Sequence, residues 1–280
     1  MRKPLIVPLL LALLALSSAP ALAADEHCKH AEPRQLTLDL AGAKAVVFEV
    51  GPHDLKVESR AGAPAAIDGR ACASHADRLS RLKVEQHRAG DKLVVRMYQE
   101  GAFGGIFLGN HYAYLHLTAT LPDTLPVQVK VGSGDAEVIG APVFSADVGS
   151  GDAVGRDIRG LAAVSVGSGD VEIHGAGSLK VVSIGSGDVE ARDVRGDSTV
   201  GSIGSGDFTL TRGGGNVEIG SIGSGDAELR DIDGDVVVGS IGSGGVEARN
   251  VGGGLTVRSV GSGDIHHEGV KGPLDLPKRR

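Results

Sequence analysis

The sequence predicts an all-β chain: a parallel β-solenoid (single-stranded β-helix) of about eight rungs, preceded by a strand-rich N-terminal segment that caps or extends it. Three observations carry the prediction. Gly-Ser-Gly-Asp begins at Gly132, Gly149, Gly167, Gly185, Gly204, Gly223 and Gly261, with Gly-Ser-Gly-Gly at Gly242, and the eight starts lie 17, 18, 18, 19, 19, 19 and 19 residues apart. A short motif locked to a period of this size is the signature of stacked repeats. Between motifs, apolar and polar residues alternate, which is strand periodicity. Composition agrees: 44 glycines and 3% aromatic residues do not build an ordinary globular core, while 41% hydrophobic residues, mostly aliphatic, are too many for disorder.

The chain opens on a targeting segment. Arg2 and Lys3 precede an apolar run from Leu5 to Leu16, and Ala21-Leu22-Ala23 reads as a cleavage site. Residues 1–23 are thus a signal peptide, and the exported chain begins at Ala24 without a transmembrane anchor, periplasmic or secreted. Export suits a Cys28–Cys72 disulfide, these being the two cysteines. The alternative for Cys28 is a metal site with His27 and His30, but a structural zinc site needs four committed ligands.

From 24 to 130 the segment is strand-rich. Leu36, Leu38 and Leu40 alternate, Ala45–Val50 is an apolar run, and Leu55 and Val57 follow Gly51-Pro52. Residues 61–79 read as irregular, with a short helical turn between Ala76 and Leu82. A hairpin joins 82–86 to 92–97 through Arg88-Ala89-Gly90-Asp91. Leu115, Leu117, Ala119 and Leu121 then share one strand face. The glycine-rich stretch from 101 to 109 carries an apolar tip, Phe103, Ile106, Phe107 and Leu108. It is the contact candidate for a partner, or else a cover for the first rung.

Residues 131–272 form the repeat array, and 273–280 are a C-terminal tail. Columns read straight down the repeats: Val189, Phe208, Ala227, Val246 and Ile265 in one, Ala191, Leu210, Leu229, Ala248 and His267 in the next. Fixed columns imply identical strands stacked in parallel register, two per rung, with rungs about 4.8 Å apart. Right-handed coiling is expected by analogy with parallel crossovers. Glycine at the motif corner answers a need for positive φ or close backbone approach. A second corner falls near Gly196, Gly215, Gly234 and Gly253. Strict alternation through the motif would put Ile184 on the wrong face, so the direction of the motif serines stays open.

Charge narrows the partners. The formal net charge is −7, and the array alone holds 21 acidic against 10 basic residues, which argues against nucleic acid. A column of carboxylates, Asp135, Asp152, Asp170, Asp188, Asp207, Asp226 and Asp264, must be solvated, capped by backbone donors, or neutralised by cations. Calcium is the cofactor alternative, although calcium-binding nonapeptide coils place their motif at both corners. Glu190 and Arg192, Glu228 and Arg230, and Glu247 and Arg249 pair along outer strand faces. Enzymes of this shape that cut polysaccharides break their repeat at the active centre. The breaks here are Thr209, Gly245 and His266-His267, and the sequence assembles no acid and base from them, so no catalytic residues are assigned.

With those motifs in view, the array resembles the exported bacterial putative-adhesin family of β-strand-repeat proteins. The resemblance covers residues 131–272 and implies a coil of parallel strands and an adhesin-like role at the cell envelope, toward a protein or glycan, without an established activity. The expected function is therefore a non-enzymatic binding or structural module. The alternatives are a calcium-stabilised coil and a carbohydrate-acting enzyme on a β-helix scaffold.

Overall fold

The computed structural model describes residues 28–101 and 111–278. The N-terminal strands are β1 (His30–Thr37), β2 (Ala45–Gly51), β3 (Asp54–Arg60), β4 (Ala66–Ala73), β5 (Leu82–Ala89), β6 (Lys92–Gln99) and β7 (Ala113–Pro122). Eight rungs follow, each of two strands. They are β8 (Val127–Val131) and β9 (Asp135–Ile139), β10 (Phe144–Val148) and β11 (Asp152–Arg156), β12 (Leu161–Val166) and β13 (Val171–Ala176), and β14 (Ser178–Ile184) and β15 (Val189–Val194). The remainder are β16 (Ser198–Ile203) and β17 (Phe208–Gly213), β18 (Val217–Ile222) and β19 (Asp226–Ile232), β20 (Val236–Ile241) and β21 (Gly245–Val251), and β22 (Leu255–Val260) and β23 (Asp264–Glu268), with β24 (Leu274–Asp275) after them.

Odd-numbered rung strands stack in one twelve-stranded sheet, here the front sheet, and even-numbered ones in a twelve-stranded back sheet. Every pairing between rungs is parallel and, apart from one shift between β12 and β14 at Val164, in register, so the columns read from the sequence are columns in space: Val189 lies beside Phe208 and Phe208 beside Ala227. Their aliphatic side chains fill one continuous core between the sheets. Where a large ring enters it, a small residue faces it: a Cβ on Gly155 would lie 2.9 Å from the Phe144 ring.

The N-terminal strands extend both sheets. β2 and β3 pair in parallel with β8 and β9, and β6 and β7 stack outside β2 and β3 although they come later in the chain. Antiparallel β5, β4 and β1 complete this end. The exposed edges of β1 and β5 are bridged by side chains. The Gln86 amide donates to Thr37 O (2.8 Å) and accepts from Asp39 N–H (2.9 Å), while Arg88 donates to Asp39 O (2.7 Å). Cys28 and Cys72 form a disulfide with Cα atoms 5.5 Å apart, so Cys28 brings no free thiolate to a site with His30.

One expectation fails. Residues 66–73 form β4 instead of an irregular stretch; Gly69 masks the strand in sequence, yet it is where β4 crosses β7 so closely that a Cβ would lie 2.3 Å from His116 O. The hairpin and the short 3-10 turn (Ala76–Arg81) are as expected. The expected signal peptide (residues 1–23), His27 and the expected contact residues Phe103, Ile106, Phe107 and Leu108 lie outside the described residues.

Two corners turn each rung, by different means. At the motif corner, close approach decides. The third residue of the motif is buried in each rung, and a Cβ on Gly169, Gly187, Gly206, Gly225 or Gly244 would stand 1.8 Å from the carbonyl oxygen of the glycine one rung below. The serines between the glycines are exposed and point outward. At the second corner, positive φ decides: Asp157, Asp193, Arg212, Asp231 and Asn250 have φ between 54° and 60°, in line with Gly140, Gly175 and Gly269. From Gly175 to Asn250 each is a bulge that the ladder skips, so that Arg192 pairs with Thr211 and Val194 with Gly213. A second bulge, at Val182, Gly201, Gly220 and Gly239, skips one residue of the back sheet and returns Ile184, Ile203, Ile222 and Ile241 to the core. These bulges answer the parity problem that strict alternation raised.

Candidate functional site

The outer face of the front sheet gathers nearly every charged column. Its first column is the motif Asp, placed where the chain leaves the glycine corner and enters the strand. From Asp135 to Asp207 each carboxylate turns toward the neighbouring rung and accepts a backbone N–H. Asp152 N–H donates to Asp135 Oδ1 at 3.3 Å, Asp170 to Asp152 at 3.1 Å, Asp188 to Asp170 at 2.9 Å, and Asp207 to Asp188 and Asp226 to Asp207 at 2.8 Å. Of the three fates foreseen for this column, capping by backbone donors is the one the geometry displays. Like charges about 5 Å apart cost roughly 0.8 kcal/mol in water, and exposure of the column keeps the cost near that figure. At Asp135 the carboxyl is held above the usual range, chiefly by burial, with the Asp152 N–H working against it and the charges of Asp54 and Asp152 adding to it.

A second ladder escaped sequence reasoning. At the other corner Asn216 N–H donates to Asp197 Oδ1 (2.9 Å), Asp235 N–H to Asn216 Oδ1 (2.9 Å), and Gly254 N–H to Asp235 Oδ1 (2.7 Å). The signal was available as Gly196-Asp197, Gly215-Asn216 and Gly234-Asp235, each 19 residues after the last.

The next outer columns are acidic and then basic, and they pair. Arg192 reaches Glu190 at 3.0 Å and His174 reaches Glu172 at 2.8 Å along their own strands, while Arg156 reaches across to Glu137 at 2.8 Å. Arg230 and Glu228 pair, and Arg249 holds both Glu247 and Glu228. All are partly exposed, so each contributes at most about 1 kcal/mol. Beside them Arg212 forks onto Asp193 at 2.6 and 2.8 Å, holding that carboxyl below its usual range and the guanidinium above its own. Asn250 donates to Asp231 (2.9 Å) and prolongs the row.

Three breaks in the repeat come together. Thr209, Gly245 and His266 line one groove of about 530 Å³, rimmed by Asp226, Glu228 and Glu247, where the missing side chain of Gly245 leaves a notch in the Asp column. His267 lies in the core-facing column beside Ala248 and outside that groove. A second groove of about 470 Å³ lies at the other end of the face, where His116 Nδ1 stands 3.6 Å from Asp54 Oδ2 beside Asp135 and Asp152. Among the described residues no three His, Cys, Asp or Glu side chains converge as metal ligands, and no helix is long and apolar enough to cross a membrane.

No protein-family model and no curated protein matches the chain. Among solved structures it is similar to a putative lipid binding protein from Parabacteroides distasonis ATCC 8503, at 15% identity over 89% of this chain and 98% of that one, with a TM-score of 0.49. It is similar also to a putative adhesin from Bacteroides fragilis NCTC 9343 (12% identity, 90% and 99% covered, TM-score 0.39). A putative cell adhesion protein from Clostridium sporogenes ATCC 15579 matches at 12% identity, with 85% and 99% covered and a TM-score of 0.27. At these values none of the three lends this chain a function.

Proposed function

We propose that the chain is a non-enzymatic, exported module of the cell envelope that binds or spaces other envelope components, in the manner of an adhesin. One observation carries the reading: the side chains with chemical potential are spent on the rod itself. Motif carboxylates cap the backbone of the next rung, and the glutamates behind them hold arginines or a histidine. A face built this way is stiff and regular, and it suits display better than proton transfer. The Cys28–Cys72 disulfide supports an oxidising compartment, periplasmic or extracellular.

Fractionation of a tagged copy, followed by glycan-array and envelope-protein binding with polysaccharide turnover measured on the same preparation, tests this reading. Saturable binding without turnover is expected. Turnover of any polysaccharide would replace it with the carbohydrate-acting enzyme, whose site would be the groove at Gly245. Calcium remains the second reading because each ladder bond engages one carboxylate oxygen of an exposed Asp. Calorimetric titration with calcium decides it: neither heat nor a thermal shift would remove the ion from consideration.

A further inference from the structure

Sheet edges invite strand addition unless something blunts them, and the rod has four. Side chains of Gln86 and Arg88 bridge the edges of β1 and β5, and Pro33 lies within β1. β24 is two residues long and sits between Pro273 and Pro277, neither of which can donate to a ladder. β23 has no such device: it is five residues, Asp264–Glu268, without proline or lysine, and among the described residues no strand pairs with its outer edge. Its core column is correspondingly open. Val246, Ala227 and Phe208 are 1% exposed or less, whereas Ile265 in the same column is partly exposed.

The backbone polarity of this edge follows from the rungs behind it. Val171 and Val189, which share a column with Ile265, donate N–H to the motif Asp carbonyl of the next rung at 2.9 Å. Asp264 N–H instead points backward, to Gly244 O at 3.1 Å. The Ile265 N–H is therefore aimed off the end of the rod.

We infer that β23 is the interface for a second copy of this chain, joined tail to tail as an antiparallel strand pair centred on Ile265. Antiparallel pairing keeps facing residues on one side of the sheet, so candidate registers differ by two residues. Centring on His266 would set Asp264 against Glu268 of the other copy, and like charges directly opposite are destabilising. Centring on Ile265 sets Ile265 on Ile265 inside, exchanging both backbone bonds, and Asp264 against His266 outside, twice by symmetry. Charge disfavours the His266 centre, and a His267 centre, although it sets His266 against Glu268, leaves Ile265 facing Gly269 instead of an apolar partner, so charge and burial together select the Ile265 register. Head-to-tail stacking into filaments is disfavoured, because the opposite end of the rod is closed by β1, β4 and β5.

Sedimentation velocity of the purified full-length chain across micromolar concentrations tests this. A monomer–dimer equilibrium is expected. Ile265→Pro removes only the outward N–H, leaves the bonds to β21 intact, and should weaken dimerisation at least tenfold with an unchanged melting temperature. His266→Asp should do the same by facing Asp264 with a second carboxylate, and Asp264→His combined with His266→Asp should restore the dimer. A monomer at all concentrations, a dimer indifferent to these changes, or an open-ended polymer would each overturn the proposal.

Discussion

The N-terminal end and the repeat array build the same two sheets by opposite means. In the array the backbone does the organising. Each rung copies the last, glycine corners touch glycine corners, and a single type of Asp bond recurs from Asp135 to Asp226. At the N-terminal end the repeat is lost beyond β2 and β3. Strands there pair out of chain order, and the structure relies on particular side chains: the disulfide, the Gln86 and Arg88 bridges, and the buried His53. The contrast teaches where each region is fragile. Errors in the array should be steric, and errors at the N-terminal end should be chemical.

The motif corner gives the sharpest way to break that contrast. Gly206→Ala drives a methyl to 1.8 Å from the Gly187 carbonyl, between two backbones with no flexible atom to yield. A loss above about 4 kcal/mol, or no soluble protein, is expected in chemical denaturation. Ser205→Ala, one residue away on the exposed outside, should stay within about 0.5 kcal/mol of the parent. The structure supplies its own control. Gly51-Pro52-His53-Asp54 occupies the corner that Gly132-Ser133-Gly134-Asp135 occupies one rung on, with Asp54 beside Asp135, and there a histidine stands in place of the motif's second glycine. The substitution is tolerated where the neighbouring rung is not a repeat.

Next in size is the disulfide. Reduction, or Cys28→Ala with Cys72→Ala, opens a crosslink spanning 44 residues. The chain-entropy relation assigns this about 4 kcal/mol. Hydrogen exchange should locate the loss in β1 and β4 while the central rungs keep their protection. Uniform loss along the whole rod would mean that the two regions unfold as one unit.

His53 provides the third test. It is fully buried, its Nδ1 accepts the Leu115 N–H at 3.3 Å, and burial lowers its pKa from 6.5 to about 4, against the opposing pull of Asp54. Between those two values the unfolded chain binds more protons than the folded one, so stability present above pH 6.5 is lost as pH falls toward 4. The loss amounts to about 3 kcal/mol. Denaturation at a series of pH values should show this slope in the parent and its absence in His53→Gln. An equal slope in both would place the acid sensitivity elsewhere.

How much of this could be read beforehand divides along the same line. Periodicity exposes whatever is repeated, so the sheets, the core columns from Val189 to Ile265 and the motif corner were all visible. The bulges at Asp193 and Gly201 were not. A bulge changes parity without changing period, and a column at constant spacing looks the same with or without one. The ladder from Asp197 to Asp235 hid for a plainer reason: two aspartates and an asparagine share a role but not a letter. At the N-terminal end β4 was missed because its glycine and alanines have low strand propensity, and contact with β7 overrides it. Of the candidate site, the charged columns were legible. The meeting of Thr209, Gly245 and His266 in one groove required the stacking to be known first.

The smallest prediction uses the array against itself. Ser198 is 2% exposed, its hydroxyl has no hydrogen-bond partner among the described residues, and it stands between Leu179 and Val217 in a column that is otherwise apolar. An unpaired buried hydroxyl costs about 1 kcal/mol or more, so Ser198→Val should raise stability by about that amount, read as a higher denaturation midpoint at unchanged slope. The column names the replacement because its neighbours solve the same packing problem one rung away. A histidine such as His53 has no neighbours of that kind, and there the favourable residue has to be argued from its own contacts. Should Ser198→Val destabilise instead, the rungs would be less interchangeable than their spacing implies, and adjacent columns would have to be treated as individually packed.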